Sequence, residues 1–113
     1  MNPKALKYIL DIENVIDEIE QLLEQVDNDF KKYSSSFIYK RTLERDLEII
    51  GEAINKLLKT DSTIVINQSR RIIGLRNLII HSYDTIEDEL IWGIVQKNIP
   101  QLKEELIELK SKY

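Results

Sequence analysis

The sequence predicts an all-α protein, an antiparallel, up-and-down bundle of four to five helices. Apolar residues recur at steps of three and four along most of the 113 residues, which is the spacing of one helix face. Only one short run is rich in β-branched residues, and a single strand without a partner forms no sheet. Hydrophobic residues make up 42% and charged residues 32% of the chain, which is typical of a globular domain. We therefore expect residues 1–113 to form a single domain.

The first predicted helix is long and covers residues 5–30. Asp, Glu and Lys occupy one side of it, and apolar residues form a stripe along the other. The stripe consists of Ala5, Tyr8, Ile9, Ile12, Ile16, Ile19, Leu22, Leu23, Val26 and Phe30.

The second predicted helix begins after the serines at residues 34–36, because serine is a favoured N-cap residue. Its apolar stripe ends before residues 59–61. Gly51 inside this helix costs about 1 kcal/mol relative to alanine, so we expect close packing at that position. The stripe consists of Leu43, Leu47, Ile50, Ile54, Leu57 and Leu58.

The rest of the chain contains a loop and two further predicted helices. Residues 61–68 include the β-prone run Ile64-Val65-Ile66, which we interpret as a buried loop. A third helix is predicted over residues 69–80. A fourth begins around Thr85, where two overlapping patterns resemble capping boxes. Because proline breaks the hydrogen bonding of a helix interior, we expect a kink or a restart at Pro100.

The composition limits the classes of function. The net charge of −4 and the pI near 5.1 disfavour a non-specific nucleic-acid binder, although they are compatible with a local basic site. The absence of cysteine excludes disulfides, thiolate metal sites and a cysteine nucleophile. Asp and Glu show no metal-ligand spacing, so no metal site is predicted. No apolar run approaches the roughly 20 residues of a membrane span and no signal peptide is visible, so we expect a cytoplasmic protein without a membrane partner.

Residues 76–84 carry most of the side chains suited to chemistry. On a continuous helix, at about 100° per residue, Arg76 and His81 would point about 140° apart. The capping patterns that follow predict that the chain leaves helical geometry near residues 81–83. A bend there would allow the imidazole to turn back toward the guanidinium. The polar residues of this segment are Arg76, Asn77, His81, Ser82, Tyr83 and Asp84.

The pattern R-x-x-x-x-H-x-Y formed by Arg76, His81 and Tyr83 resembles the signature of HEPN domains, and specifically of HepT-like toxins. Flanking blocks at residues 49–53, 73–77, 91–92 and 99–102 extend the resemblance over about residues 43–106. The resemblance implies a dimeric helical bundle in which the Arg and His of both subunits face one cleft at the interface. Many members of the family are metal-independent endoribonucleases.

For this chain the resemblance implies the toxin of a HepT/MNT type VII toxin–antitoxin pair, acting as a homodimer on RNA. The partner would be an MNT-type nucleotidyltransferase antitoxin that uses ATP to AMPylate the motif tyrosine, here Tyr83. The toxin itself would need no cofactor. An AMP group on Tyr83 would add bulk and negative charge to a phosphate-binding cleft and so block RNA.

The residue types suggest how such a site would cleave RNA. Histidine, whose ordinary pKa lies near neutrality, suits proton transfer, so His81 is the predicted acid or base. Arg76 is the predicted phosphate clamp. One histidine cannot be acid and base at once, and a dimer would supply two. Further predicted roles are substrate binding for Asn77, Arg70 and Arg71, and support of the catalytic pair by Glu52 and Asp84.

Two classes of function remain open from the sequence. The first is a toxin ribonuclease that its antitoxin silences. The second is a non-catalytic partner subunit of a minimal nucleotidyltransferase, in which Tyr83 is only the acceptor and Arg76 and His81 grip nucleotide phosphates. The acidic net charge favours the second class, and the intact Arg76–His81 pair favours the first. A structural dimer without a ligand is a third hypothesis, which we rank last.

Overall fold

Helices make up most of the described part of the fold. The computed structural model describes residues 2–81 and 86–112, and no strand occurs in those ranges, which confirms the all-α prediction. Five helices follow one another in the described ranges: α1 (Pro3–Gln25), α2 (Phe30–Ser34), α3 (Phe37–Thr60), α4 (Ser69–His81) and α5 (Asp88–Ser111).

The first helix ends earlier than the apolar stripe suggests, so the prediction of one helix over residues 5–30 is wrong. The backbone at Asp27 and Asn28 is left-handed, with φ of 55° and 51°. Short polar residues tolerate that conformation, which a helix does not contain. The Asp29 carboxylate then accepts from the backbone N–H of Lys31 at 2.8 Å and starts α2 as a separate helix.

Helix α3 is the centre of the bundle, with α1 packed on one side and α4 on the other. It begins where predicted, because the Ser36 hydroxyl accepts from the backbone N–H of Tyr39 at 3.4 Å. The loop between α3 and α4 is buried at Ile64 and Ile66, whereas Val65 between them is 77% exposed. The loop prediction therefore holds for two of its three apolar residues.

Helix α5 begins at Asp88, three residues after the predicted start, with Glu87 at its N-cap position. The other residues of the predicted capping boxes, Asp84 and Thr85, lie outside the described residues. The helix continues through Pro100, so of the predicted kink or restart the restart is wrong. Pro100 and Gln96 are both exposed, and water can therefore satisfy the Gln96 carbonyl that a proline four residues later leaves without its helical donor.

The helices α1 and α5 run antiparallel and are joined by ion pairs. Lys110 Nζ lies 2.8 Å from Glu13 Oε1, and Lys103 Nζ lies 2.8 Å from Glu20 Oε2. Inside the bundle, isoleucine, leucine and valine side chains from α1, α3, α4 and α5 form one continuous core. Of the helices in residues 2–81 and 86–112, none combines the length and the apolar character that a bilayer span requires.

Candidate functional site

Helix α4 packs closely against α3 at Gly51, a residue that has no side chain. A Cβ atom added at Gly51 would lie 2.5 Å from the Cβ of Arg76, 3.1 Å from its Cγ and 3.2 Å from the carbonyl oxygen of Ile72. Only glycine allows the two helices to approach this closely. The expected close packing at Gly51 is therefore present, and its partner is the stem of Arg76.

The guanidinium of Arg76 leaves this contact between a carboxylate and an amide. Its Nη2 lies 3.8 Å from Glu52 Oε2, and its Nη1 donates to Asn77 Oδ1 at 3.1 Å. Lys56 Nζ approaches the other oxygen of Glu52 at 3.6 Å. Among the described residues, the buried Nε of Arg76 has no hydrogen-bond partner. The structure thus brings together Arg76, Asn77 and Glu52, three of the residues singled out in the sequence.

The exposure of Arg76 suits a group that reaches an external anion. Its side chain is 25% exposed, because the stem is covered by α3 while the end of the guanidinium reaches solvent. Glu52 orients the cation without enclosing it, since 47% of the Glu52 side chain remains in contact with solvent. A phosphate oxygen could therefore approach Arg76 without first breaking a buried ion pair.

His81 is the last residue of α4 and is exposed. Because the backbone is helical from Arg76 through His81, the two side chains leave the axis about 140° apart and about 7.5 Å apart along it. The bend predicted near residues 81–83 lies, apart from His81, outside the described residues, and α4 continues as far as His81. The structure places His81 on the outer face of α4, in nearly the same direction as Gly74, seven residues earlier.

The remaining predicted residues divide between the start of α4 and the segment after it. Arg70 and Arg71 lie in the first turn of α4, are exposed, and line a cleft of about 520 Å³ between α4 and α5. Tyr83 and Asp84, the predicted modification site and a predicted supporting residue, lie outside the described residues. Within the described ranges, no group of three or more side chains of the kinds that bind metal ions is arranged to hold one.

The charge of the chain is distributed unevenly over the helices. Helix α4 carries three arginines and no carboxylate, whereas α1 carries six carboxylates and two lysines. Positive charge is therefore concentrated on α4, although Arg76 itself lies beside the Glu52 carboxylate of α3. Attraction of an anion depends on the nearby charges, because at physiological salt charges more than about 8 Å away are largely screened.

The bundle also contains a buried carboxylate that was not predicted from the sequence. Asp46 on α3 is 5% exposed and is the one charged side chain in residues 2–81 and 86–112 that is buried. Burial, and then the neighbouring Glu18 carboxylate on α1, raise the pKa of Asp46 to about 7, while Arg45 opposes the shift. Asp46 lies on the α1 side of α3 and Arg76 packs on the α4 side, so we assign Asp46 no role in the candidate site.

Comparison with known proteins identifies the family. The sequence profile described as ribonuclease HepT-like matches residues 12–109. The chain belongs to the ribonuclease HepT-like family. The match covers α2, α3 and α4 completely and most of α1 and α5, so it confirms the family indicated by the motif at Arg76, His81 and Tyr83.

Individual known proteins are similar to this chain over most of its length. Putative RNase TTE0752 of Caldanaerobacter subterraneus subsp. tengcongensis is 31% identical over 106 residues, which cover 89% of this chain and 92% of that protein. Putative RNase MJ1380 of Methanocaldococcus jannaschii is 34% identical over 83 residues, which cover 71% of this chain and 74% of that protein.

Proposed function

We propose that this HepT-like protein is a metal-independent endoribonuclease and the toxin of a toxin–antitoxin pair. The observation that carries the proposal is a guanidinium, fixed by the contact at Gly51, on the same carboxylate-free helix as an exposed histidine. The names of the two relatives described above support ribonuclease chemistry.

In the proposed reaction, His81 removes the proton of the ribose 2′-hydroxyl, whose oxygen attacks the adjacent phosphorus. The bond from phosphorus to the 5′-oxygen then breaks, and a second imidazole protonates the departing oxygen. The products are a 2′,3′-cyclic phosphate and a 5′-hydroxyl end. Arg76 stabilises the negative charge that develops on the phosphoryl oxygens. Asn77 accepts a hydrogen bond from Arg76 and so holds its guanidinium in position.

The proposal includes a homodimer, because one chain contains a single histidine. Two protomers that present α4 to a shared cleft would supply an acid and a base. Because Arg76 and His81 diverge on one helix, the proposed dimer places the histidine of one protomer opposite the arginine of the other.

Regulation by an antitoxin completes the proposal. A nucleotidyltransferase partner would catalyse attack of the phenolic oxygen of Tyr83 on the α-phosphorus of ATP. A tyrosyl–AMP bond would form and pyrophosphate would be released. Tyr83 is two residues from His81, so the attached AMP would lie beside the catalytic group and repel RNA. The pair would act in the cytoplasm.

The alternative function, a non-catalytic partner subunit of a nucleotidyltransferase, was favoured by the acidic net charge. That argument weakens because Arg70 and Arg71, at the start of α4, form no ion pair with another described residue and so leave a local basic site.

The decisive experiment measures RNA cleavage by the purified chain in the presence of a metal chelator. We expect cleavage by the wild type, little or none by His81→Ala, and growth arrest on expression that the same substitution abolishes. Intact mass after incubation with the partner and ATP should rise by one or more AMP units, except in Tyr83→Phe. Harmless expression together with intact RNA would contradict the ribonuclease and leave the partner subunit as the function.

A further inference from the structure

A groove runs between α4 and α5 on the side of α4 that carries His81. It consists of two adjoining clefts, of about 520 Å³ and about 400 Å³, which share Arg71, Leu90 and Ile94. We call it the α4–α5 groove. It exists because α4 packs on α3 and leaves an opening toward α5.

Two glycines line the α4–α5 groove, one on each helix. A Cβ atom added at Gly74 or at Gly93 would meet no other atom within 4 Å. Glycine lowers the stability of a helix interior. At Gly51 a close helix contact explains the glycine, whereas Gly74 and Gly93 make no such contact within the protein. Both helices therefore present bare backbone to the groove, which allows an external molecule to approach closely.

The charge and the floor of the groove indicate what that molecule is. Arg70, Arg71 and Lys97 line its edges, and none of the three forms an ion pair with another residue in the described part of the chain. The floor is apolar, and Leu78 in it is 44% exposed. Cations beside an apolar surface suit a nucleotide of a single strand, whose phosphate is anionic and whose unstacked base has an apolar face.

A second copy of the chain fits this groove less well. A two-fold contact would place the same surface of each protomer against the other. Arg70, Arg71 and Lys97 would then face their own copies, with Glu89 as the carboxylate among the lining residues. Like charges brought together in this way oppose association.

We propose that the α4–α5 groove binds the single-stranded RNA that flanks the scissile bond, with phosphates on Arg70, Arg71 and Lys97 and a base on the apolar floor. The inference rests on the ribonuclease function proposed above. Gly74 projects in nearly the same direction as His81, and Arg70 is about 16 Å from His81 along the helix. A strand cut at His81 would therefore continue along the groove for a few nucleotides.

The test is equilibrium binding of a short, labelled single-stranded RNA to the full-length His81→Ala protein, which does not cleave it. Adding Arg70→Gln and Arg71→Gln should weaken binding about ten-fold at moderate salt. The slope of log K against log salt concentration should fall by about 1.4, because two phosphate contacts are lost from a single strand. Blunt double-stranded RNA should bind more weakly than the single strand, since its paired bases cannot reach the floor.

A charge-matched control carries Lys4→Gln and Lys31→Gln, two exposed positions that do not line the groove. It should leave both affinity and salt slope unchanged. A steric variant, Gly93→Leu, should fill the groove and weaken RNA binding without changing the oligomeric mass. If Gly93→Leu instead changes the oligomeric mass and leaves RNA binding intact, the groove is an interface between protein copies and the inference is overturned.

Wild-type cleavage measured in parallel distinguishes a failure of the groove assignment from a failure of the proposed ribonuclease function. If the wild type cleaves RNA and the arginine variants bind it as tightly as the control does, the groove assignment is wrong and the ribonuclease stands. If the wild type neither binds nor cleaves RNA, the proposed function fails and the groove assignment fails with it.

Discussion

The contact between Gly51 and Arg76 can be tested by adding one methyl group. In Gly51→Ala the new Cβ would lie 2.5 Å from Arg76 Cβ, whereas ordinary contacts are 3.4–4 Å. The obstacle is the stem of Arg76 and a backbone carbonyl, so α3 and α4 must separate by about 1 Å. Overpacking of this kind costs about 1–3 kcal/mol, against about 1 kcal/mol gained because alanine favours a helix.

The other glycines provide matched controls for stability. Gly74→Ala and Gly93→Ala gain the same helix preference and meet no atom within 4 Å, so each should stabilise the fold by up to about 1 kcal/mol. In urea denaturation we expect Gly51→Ala to be less stable than either control by about 1–3 kcal/mol.

The same substitution should reduce RNA cleavage. Misplacement by about 1 Å can cost about 100-fold in rate, and Gly51→Ala displaces the helix that carries both Arg76 and His81. We expect a loss in kcat larger than the loss in RNA affinity. If Gly51→Ala unfolds at the same urea concentration as Gly74→Ala and cleaves RNA normally, then α3 and α4 do not meet at Gly51 and our account of how Arg76 is positioned is refuted.

Three further predictions concern stability. Asp46 has its pKa raised to about 7 in the fold from an ordinary value of 3.8, so its burial becomes destabilising as the pH rises through that window. Asp46→Asn should therefore leave the free energy of unfolding unchanged near pH 4 and increase it by up to about 4 kcal/mol at pH 8, and an equal effect at both pH values would contradict the assignment. Pro100→Ala should stabilise α5 by about 1–3 kcal/mol in urea denaturation, whereas a near-neutral effect would indicate a helix that restarts at the proline. The buried Tyr33 hydroxyl has no partner among the described residues, so Tyr33→Phe should not lower the melting temperature, and a clear decrease would reveal an unrecognised hydrogen bond.

Hydrophobic periodicity predicted most of α1, α3 and α5 because each of these helices buries a stripe of apolar residues against its neighbours. It failed at the end of α1, where Val26 and Phe30 keep the helical spacing although the backbone turns at Asp27 and Asn28. The spacing of apolar residues does not show whether the backbone between two of them adopts a left-handed conformation. At Pro100 the predicted restart is wrong, because the exposed position of the proline allows the helix to continue.

The candidate site was predictable only in part. The resemblance of the motif to a known family singled out Arg76 and His81, whose catalytic roles stay predictions, and a glycine inside a helix predicted the close packing present at Gly51. Which side chain packs there depends on how α3 and α4 cross, and no local pattern contains that information. The same holds for the burial of Asp46, which follows from the packing of α1 on α3.

The geometry of α4 leads to a test of the shared cleft. Since each chain contains a single histidine, a histidine acid and a histidine base that act on one phosphate require two protomers, and the divergence of Arg76 and His81 by about 140° sets which groups meet. Wild-type and His81→Ala chains refolded together in equal amounts would form pure and mixed dimers. If both histidines are needed, only the pure wild-type dimers cleave RNA, about one quarter of the total. Activity of about one half, the value for independent protomers, would show that each chain carries a complete site and that the two-histidine mechanism is wrong.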